Sequence, residues 1–232
     1  MATAVLVHGC HLLADGWHDI VWGDPKKDRL GRVPRAILLA IEQRADMIVF
    51  STGASEKGGL KEGEYIYRYT LERLPELAEL TGSTETGLHR WLKIRHRLEL
   101  TSQNTREELL ASANMALKED INRLFLVSSP THIIRCYKEA ISVLGGEPRL
   151  RHFLRDLHAV ASDTCYAGST IDDVVVIEPP HRGDIPRWQT HRYARALFQI
   201  MGKGPEQFAG FLGELGELVQ KHGVNVTWRP RE

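Results

Sequence analysis

Short unbroken apolar runs alternate along this chain with longer stretches in which apolar residues recur every three or four positions. Residues 3–8, 47–50 and 123–127 are compact runs of the first kind, the length and composition of strands buried on both faces. Residues 97–100 predict a shorter strand. Between these runs, residues 34–44 predict a helix, with Pro34 near its first turn and Ile37, Leu38 and Ile41 on one side. Residues 62–74 predict another. A third helix starts at Thr105, where Thr105 and Glu108 have capping-box spacing and Leu109, Leu110, Ala113 and Leu117 form the apolar stripe. A fourth opens at Ser129-Pro130, repeats through Ile133, Tyr137, Ala140, Ile141 and Leu144, and closes at Gly145-Gly146. Further on, residues 158–162 and 174–177 predict strands, the second stopped by Pro179-Pro180. Residues 188–201 and 205–222 predict helices, and 224–228 an edge strand or a tail.

This alternation predicts an α/β fold: a mainly parallel sheet in a three-layer sandwich, with helices on both faces. The 232 residues suit one α/β domain over 1–232. Two regions elaborate it: a helical insertion over about 75–97, broken at Thr81-Gly82-Ser83-Thr84, and a C-terminal helical part over about 185–232. In such sheets ligands bind beyond the carboxyl ends of the strands, which is where the polar clusters of this chain fall.

Charge narrows the partners. Lys plus Arg and Asp plus Glu both total 30, so no net field points to nucleic acid. Apolar and charged shares of 42% and 26% are those of an ordinary globular protein. No apolar run approaches ~18 residues, and the opening run has no basic segment before it, so neither a membrane span nor a signal peptide is expected. Cys10, Cys136 and Cys165 are odd in number and widely spaced, which suits reduced thiols and a cytoplasmic location.

Two segments carry the candidate chemistry. In Glu99-Leu100-Thr101-Ser102-Gln103-Asn104-Thr105 a carboxylate ends a strand, and hydroxyls and an amide lead into a helix whose unpaired N–H groups attract anions or carbonyls. Asn104 and Thr105 are equally the residue types that shape a turn and cap a helix. In Ser128-Ser129-Pro130-Thr131-His132-Ile133-Ile134-Arg135, His132 and Arg135 share a helical face near the same edge. Such a histidine can move protons near neutral pH, and such an arginine can fork onto a phosphate or carboxylate. The bland alternative is a histidine satisfying a loop carbonyl and an arginine in solvent. Gly53, at a strand end, allows close approach of either a ligand or backbone.

Other clusters are weaker. His8, Cys10, His11, Asp15, His18 and Asp19 are potential ligands, but their spacing fits no standard zinc pattern, and no metal is assigned. Cys10 has no base fixed beside it by sequence. Arg182, in the loop 179–184, could close over a phosphate, and that loop reads equally as exposed proline-rich chain. Neither a dinucleotide fingerprint nor a P-loop is present, and the cofactor is left open.

Taken jointly, Glu99, Ser102, Asn104 and Thr105 followed by His132 and Arg135 resemble the signature of the SanA/ElyC/YdcF family. Upstream, Val7-His8-Gly9-Cys10 resembles the family's glycine-rich first turn, and Arg32-Val33-Pro34-Arg35-Ala36 its Arg-x-x-x-Ala helix start. Ser51-Thr52-Gly53-Ala54 resembles its Ser-Gly-Gly turn, with Thr52 and Ala54 departing, and Glu62-Gly63-Glu64 its Glu-Ala opening. The match covers residues 3–145 and extends toward 177. It implies a Rossmann-like sandwich in which these residues line one pocket. The insertion over 75–97 and the chain from Pro179 onward depart from the family.

The resemblance and the residues together lead to an expected enzyme acting on a phosphorylated or nucleotide-like small molecule by group transfer or hydrolysis. Glu99 and His132 would be catalytic. Gly9, Arg32, Gly53, Glu62, Ser102, Asn104, Thr105, Ser129 and Arg135 would bind an anionic substrate. The alternative is a non-catalytic binding module for an adenosine-type or envelope-precursor metabolite. A third reading, an S-adenosylmethionine-binding transferase, rests on fold analogy alone. A homo-oligomer contact through either elaboration stays open.

Overall fold

A computed structural model describes residues 1–165 and 205–221. Five parallel strands form its sheet: β1 (Thr3–Val7), β4 (Met47–Ser51), β7 (His96–Glu99), β8 (Arg123–Ser128) and β9 (Leu157–Ala161). Their order is β7-β4-β1-β8-β9, so the chain first builds outward from β1 on one side and then returns to build on the other. The reversal lies between β1 and β8, paired in register from Thr3 with Arg123 to Val7 with Val127.

Side-chain alternation divides this sheet between two cores. Val5, Val7, Ile48, Phe50, Phe125 and Val127 face α2 (Arg32–Glu42), α3 (Glu62–Glu72) and their neighbours. Ala4, Leu6, Met47, Val49, Leu124 and Leu126 face α6 (Thr105–Lys118) and α7 (Pro130–Gly146). Every residue of β1 and β4 is buried, which is why these strands read as unbroken apolar runs. The expected three-layer α/β sandwich is the observed fold.

The region 75–97 is helical, as expected. It holds α4 (Leu74–Thr81) and α5 (Glu85–Arg95), the second capped by Thr84, whose side chain accepts from Gly87 N–H. The helix predicted over 62–74 instead ends at Glu72 and restarts at Leu74, since Pro75 cannot sit inside a continuous helix. A short helix α1 (Trp17–Val21) and two small hairpins, β2 (Gly23–Asp24) with β3 (Arg29–Leu30) and β5 (Glu56–Lys57) with β6 (Leu60–Lys61), escaped the periodicity reading because each is too short to show a period. Trp17 and Trp22 dock this region on α3 through Tyr69, and Trp22 Nε1 donates to Glu76 at 2.7 Å.

The chain divides into two compact units, Met1–Val176 and Ile177–Glu232. In the second, α8 (Pro205–Lys221) agrees with the helix expected over 205–222. The predicted elements over 174–177, 188–201 and 224–228, and the loop 179–184, lie outside the described residues. Among the described residues no helix is long and apolar enough to cross a membrane.

Candidate functional site

At the carboxyl ends of β1, β4 and β8 the two-residue period continues past the apolar runs. His8 extends the Ala4–Leu6 face and keeps the ladder going, with its N–H donating to Val127 O at 3.0 Å. Ser128 extends the Leu124–Leu126 face in the same way. Both therefore point toward α6 and α7, and their polar groups meet partners there.

His8 is completely buried, and its Nδ1 lies 2.8 Å from Glu108 Oε2. The other Glu108 oxygen accepts from Gly9 N–H at 3.1 Å. Glu108 is thus drawn inward from the first turn of α6, and the expected capping box at Thr105 and Glu108 shifts by one residue. Asn104 is the N-cap, its Oδ1 accepting from Glu107 N–H at 3.0 Å and its Nδ2 donating to Glu107 Oε1 at 2.7 Å. Asn is the stronger cap of the two candidates, so the cap position falls one residue earlier and frees Glu108.

Burial penalises charge on Glu108, but His8 outweighs it and holds the carboxyl below its ordinary range. Burial likewise opposes charge on His8, and Cys136 and Glu108 together overcome it, raising His8 to about 10. His8 Nε2 is buried without a well-formed hydrogen bond.

On α7, half-buried His132 accepts or donates through Nδ1 at 2.9 Å from Ser128 Oγ, and the Cys136 Sγ one turn below is 3.4 Å from the same nitrogen. The His8 and His132 rings meet edge to face, 6.1 Å between centroids. Arg135, next on the helix, is exposed.

Across the sheet, Arg32 is fully buried at the start of α2. Its Nε donates to Ser129 Oγ at 3.0 Å, and its Nη1 donates to the carbonyls of His8, at 3.2 Å, and Gly9. The guanidinium therefore pins the β1 and β8 ends to each other across the reversal point.

Glu62, on the first turn of α3, accepts from Ser55 Oγ at 2.5 Å and is 1% exposed. A Cβ on Gly9 would lie 2.1 Å from Glu62 Oε1, so glycine at position 9 is what admits this carboxylate beside the β1 turn. Burial raises Glu62 to about 7, opposed by Ser55 and reinforced by Glu108. Of the carboxylates here, this one is poised to give or take a proton near neutral pH.

Glu99 has a different setting. Its carboxylate accepts from Thr101 N–H at 2.8 Å, Thr101 Oγ1 at 2.7 Å, Ser102 N–H at 2.9 Å and Ser102 Oγ. The loop after β7 wraps its own strand-end carboxylate, leaving Glu99 as the organiser of that loop. Ser102 in turn meets Thr52: its carbonyl accepts from Thr52 Oγ1 at 2.7 Å and from Gly53 N–H at 3.1 Å. At Gly53 the close approach is by backbone, since a Cβ there would lie 2.1 Å from Leu100 O.

The structure thus brings Gly9, Arg32, Glu62, Ser129 and His132 together around the β1–β8 reversal. Gly53, Glu99 and Ser102 lie where the loops after β4 and β7 meet, with Asn104 capping α6 and Thr105 opening it. Of the other groups here, His8 was expected only as a potential ligand in the glycine-rich turn, Glu108 only as a helix cap and Cys136 only as a reduced thiol. Their signal was available in part: His8 continues the face of β1 that packs on α6 and α7, and Glu108 and Ser112 flank the buried stripe Leu109, Ala113, Ala116.

Among the described residues no group of three or more His, Cys, Asp or Glu side chains is arranged to hold a metal ion. Cys10 is buried in the core, while His11 and Asp15 are exposed. A hollow of about 590 Å³, lined by residues including Arg44, Leu88, Trp91 and Arg95, lies by the segment leading into the amino end of β4, away from these groups. No family model, curated protein or solved structure matches this chain, so the SanA/ElyC/YdcF resemblance rests on its motif residues.

Proposed function

We propose that the protein is an enzyme that binds an anionic small molecule, phosphorylated or nucleotide-like, beside the carboxyl ends of β1 and β8 and acts on it by group transfer or hydrolysis. The observation that carries this reading is the meeting of three features at one place. The strand order reverses there, the position where open α/β sheets bind ligands. Half-exposed His132, oriented by Ser128, stands at that edge. A second titrating group, Glu62, is held near neutrality behind Gly9.

In this reading His132 is the acid–base group that meets substrate, and Glu62 serves as a buried proton reservoir. The first turns of α6 and α7 present backbone N–H groups that favour negative charge, and Arg135 offers a fork at the rim. Glu99, assigned catalysis on sequence grounds, acts by fixing the 101–102 loop. The SanA/ElyC/YdcF relationship is part of the same proposal.

A thermal-shift screen against nucleotides, sugar nucleotides and phosphorylated metabolites tests it, because a ligand at a hundredfold its dissociation constant raises stability by about 2.7 kcal/mol. The reading predicts a stabilising phosphorylated compound that is consumed on incubation, with consumption lost in His132→Ala. A stabilising compound that survives unchanged would make the protein a binding module instead.

A further inference from the structure

His132 owes its orientation to two neighbours, Ser128 and Cys136. Cys136 is fully buried on the inner face of α7. Its Sγ lies 3.4 Å from His132 Nδ1 and 3.8 Å from Nε2. His8 interacts with the same thiol through charge and a side-chain hydrogen bond; its Nδ1 is committed to Glu108, and its buried Nε2 has no other partner among the described residues. A carboxylate that fixes one imidazole nitrogen and leaves the other directed inward is the arrangement that raises imidazole basicity.

We infer that Cys136 is an ionisable member of the site: its thiol gives its proton to His8 Nε2, and the resulting thiolate accepts from His132 Nδ1–H. The S–H bond breaks as the Nε2–H bond forms, and Glu108 balances the imidazolium. The consequence falls on His132. With Nδ1–H directed to Ser128 Oγ and the sulfur, its Nε2 keeps the lone pair that a general base needs. Cys136 is therefore a positioning residue, acting through His132.

The surrounding charges agree. Burial pushes the Cys136 thiol up, but His8 and then His132 outweigh it and bring the thiol down to about 6. The charged and titratable groups facing the cluster are Glu108 from α6, His8 after β1, and His132 on α7. Beyond them stand Arg32 from α2, held on the His8 carbonyl, and Glu62 from α3, which acts on Glu108. The His8 imidazolium, balanced by Glu108, is the charge that favours a thiolate.

This inference deepens the proposed acid–base role of His132, and its functional meaning rests on that role. Its test needs no substrate, so the two can fail separately. Thiolate ultraviolet absorbance is followed against pH as the difference between wild type and Cys136→Ser, with imidazole ¹⁵N shifts read in both proteins. The expected thiolate midpoint is about 6, well below the ~8.5 of a free thiol. The expected shifts give His132 as the Nδ1–H tautomer in wild type, lost in the serine variant, where the His8 titration also falls. Should Cys136→Ser not fold, Glu108→Gln carries the test: weakening the His8 charge must move the thiolate midpoint upward. A midpoint near the free-thiol value, or one that Glu108→Gln leaves unmoved, makes Cys136 an inert core residue and overturns the inference.

Discussion

Replacing Glu62 by Gln should stabilise the protein at alkaline pH and change little at acid pH. The carboxyl is raised from 4.5 to about 7 by burial. At about 1.4 kcal/mol per pH unit, this means that ionised Glu62 costs the folded state about 3 kcal/mol. The sign follows from linkage. A group whose folded pKa lies above its unfolded value contributes fully below 4.5, and that contribution is lost as pH rises through about 7. Gln removes the titration while keeping the shape. Its oxygen can take the Cys10 N–H that Glu62 accepts, and its amide can donate to Ser55 Oγ. Urea unfolding of both proteins at pH 4.5 and 8.5 measures the difference. The variant should gain roughly 2–3 kcal/mol on wild type between the two conditions. A difference that does not change with pH would refute the assignment of a buried, neutral-range carboxyl to Glu62.

Other perturbations have defined outcomes. Glu108→Ala leaves the His8 charge buried without its carboxylate and should cost ~3–5 kcal/mol in denaturant unfolding at pH 7; a loss under ~1 kcal/mol would mean that His8 is neutral in the folded protein. Gly53→Ala forces a Cβ against Leu100 O and should cost at least ~1–3 kcal/mol, read as a lowered urea midpoint. A wild-type midpoint in that variant would contradict the close approach of the two loops. His132→Ala should reduce turnover of a compound found by the screen ~10²–10⁴-fold while leaving its binding within a few fold. Equal losses in binding and turnover would make His132 a binding residue.

The sequence was most readable where burial is simplest. β1, β4 and β8 are apolar on both faces, so continuous runs announced them, and their succession with helical stripes implied the parallel sheet. α1 and the two small hairpins have no period to read. The candidate groups were legible by position: strand ends followed by Ser129 or Asn104 and a helix start place them at the carboxyl edge of the sheet. Their roles were harder, because they depend on partners far apart in sequence. His8 and Glu108 are 100 residues apart, and local spacing fits Thr105–Glu108 as a capping box as well as Asn104–Glu107. Only the register of β1 against α6 decides which glutamate turns inward. The loop partners of Glu99 were hidden for a related reason, since a strand-end carboxylate looks the same in sequence whether it faces a substrate or its own loop.

The central claim is that ligand binds at the reversal between β1 and β8. Amide chemical-shift mapping of ¹⁵N-labelled protein, titrated with the strongest phosphorylated compound from the screen, tests it most directly. The account predicts the largest shifts at Gly9, Thr105 and Ser129–His132, with saturation at a single dissociation constant. Shifts confined to Arg44, Thr84, Trp91 and Arg95 around the distant hollow, with the β1 and β8 ends unmoved, would contradict it.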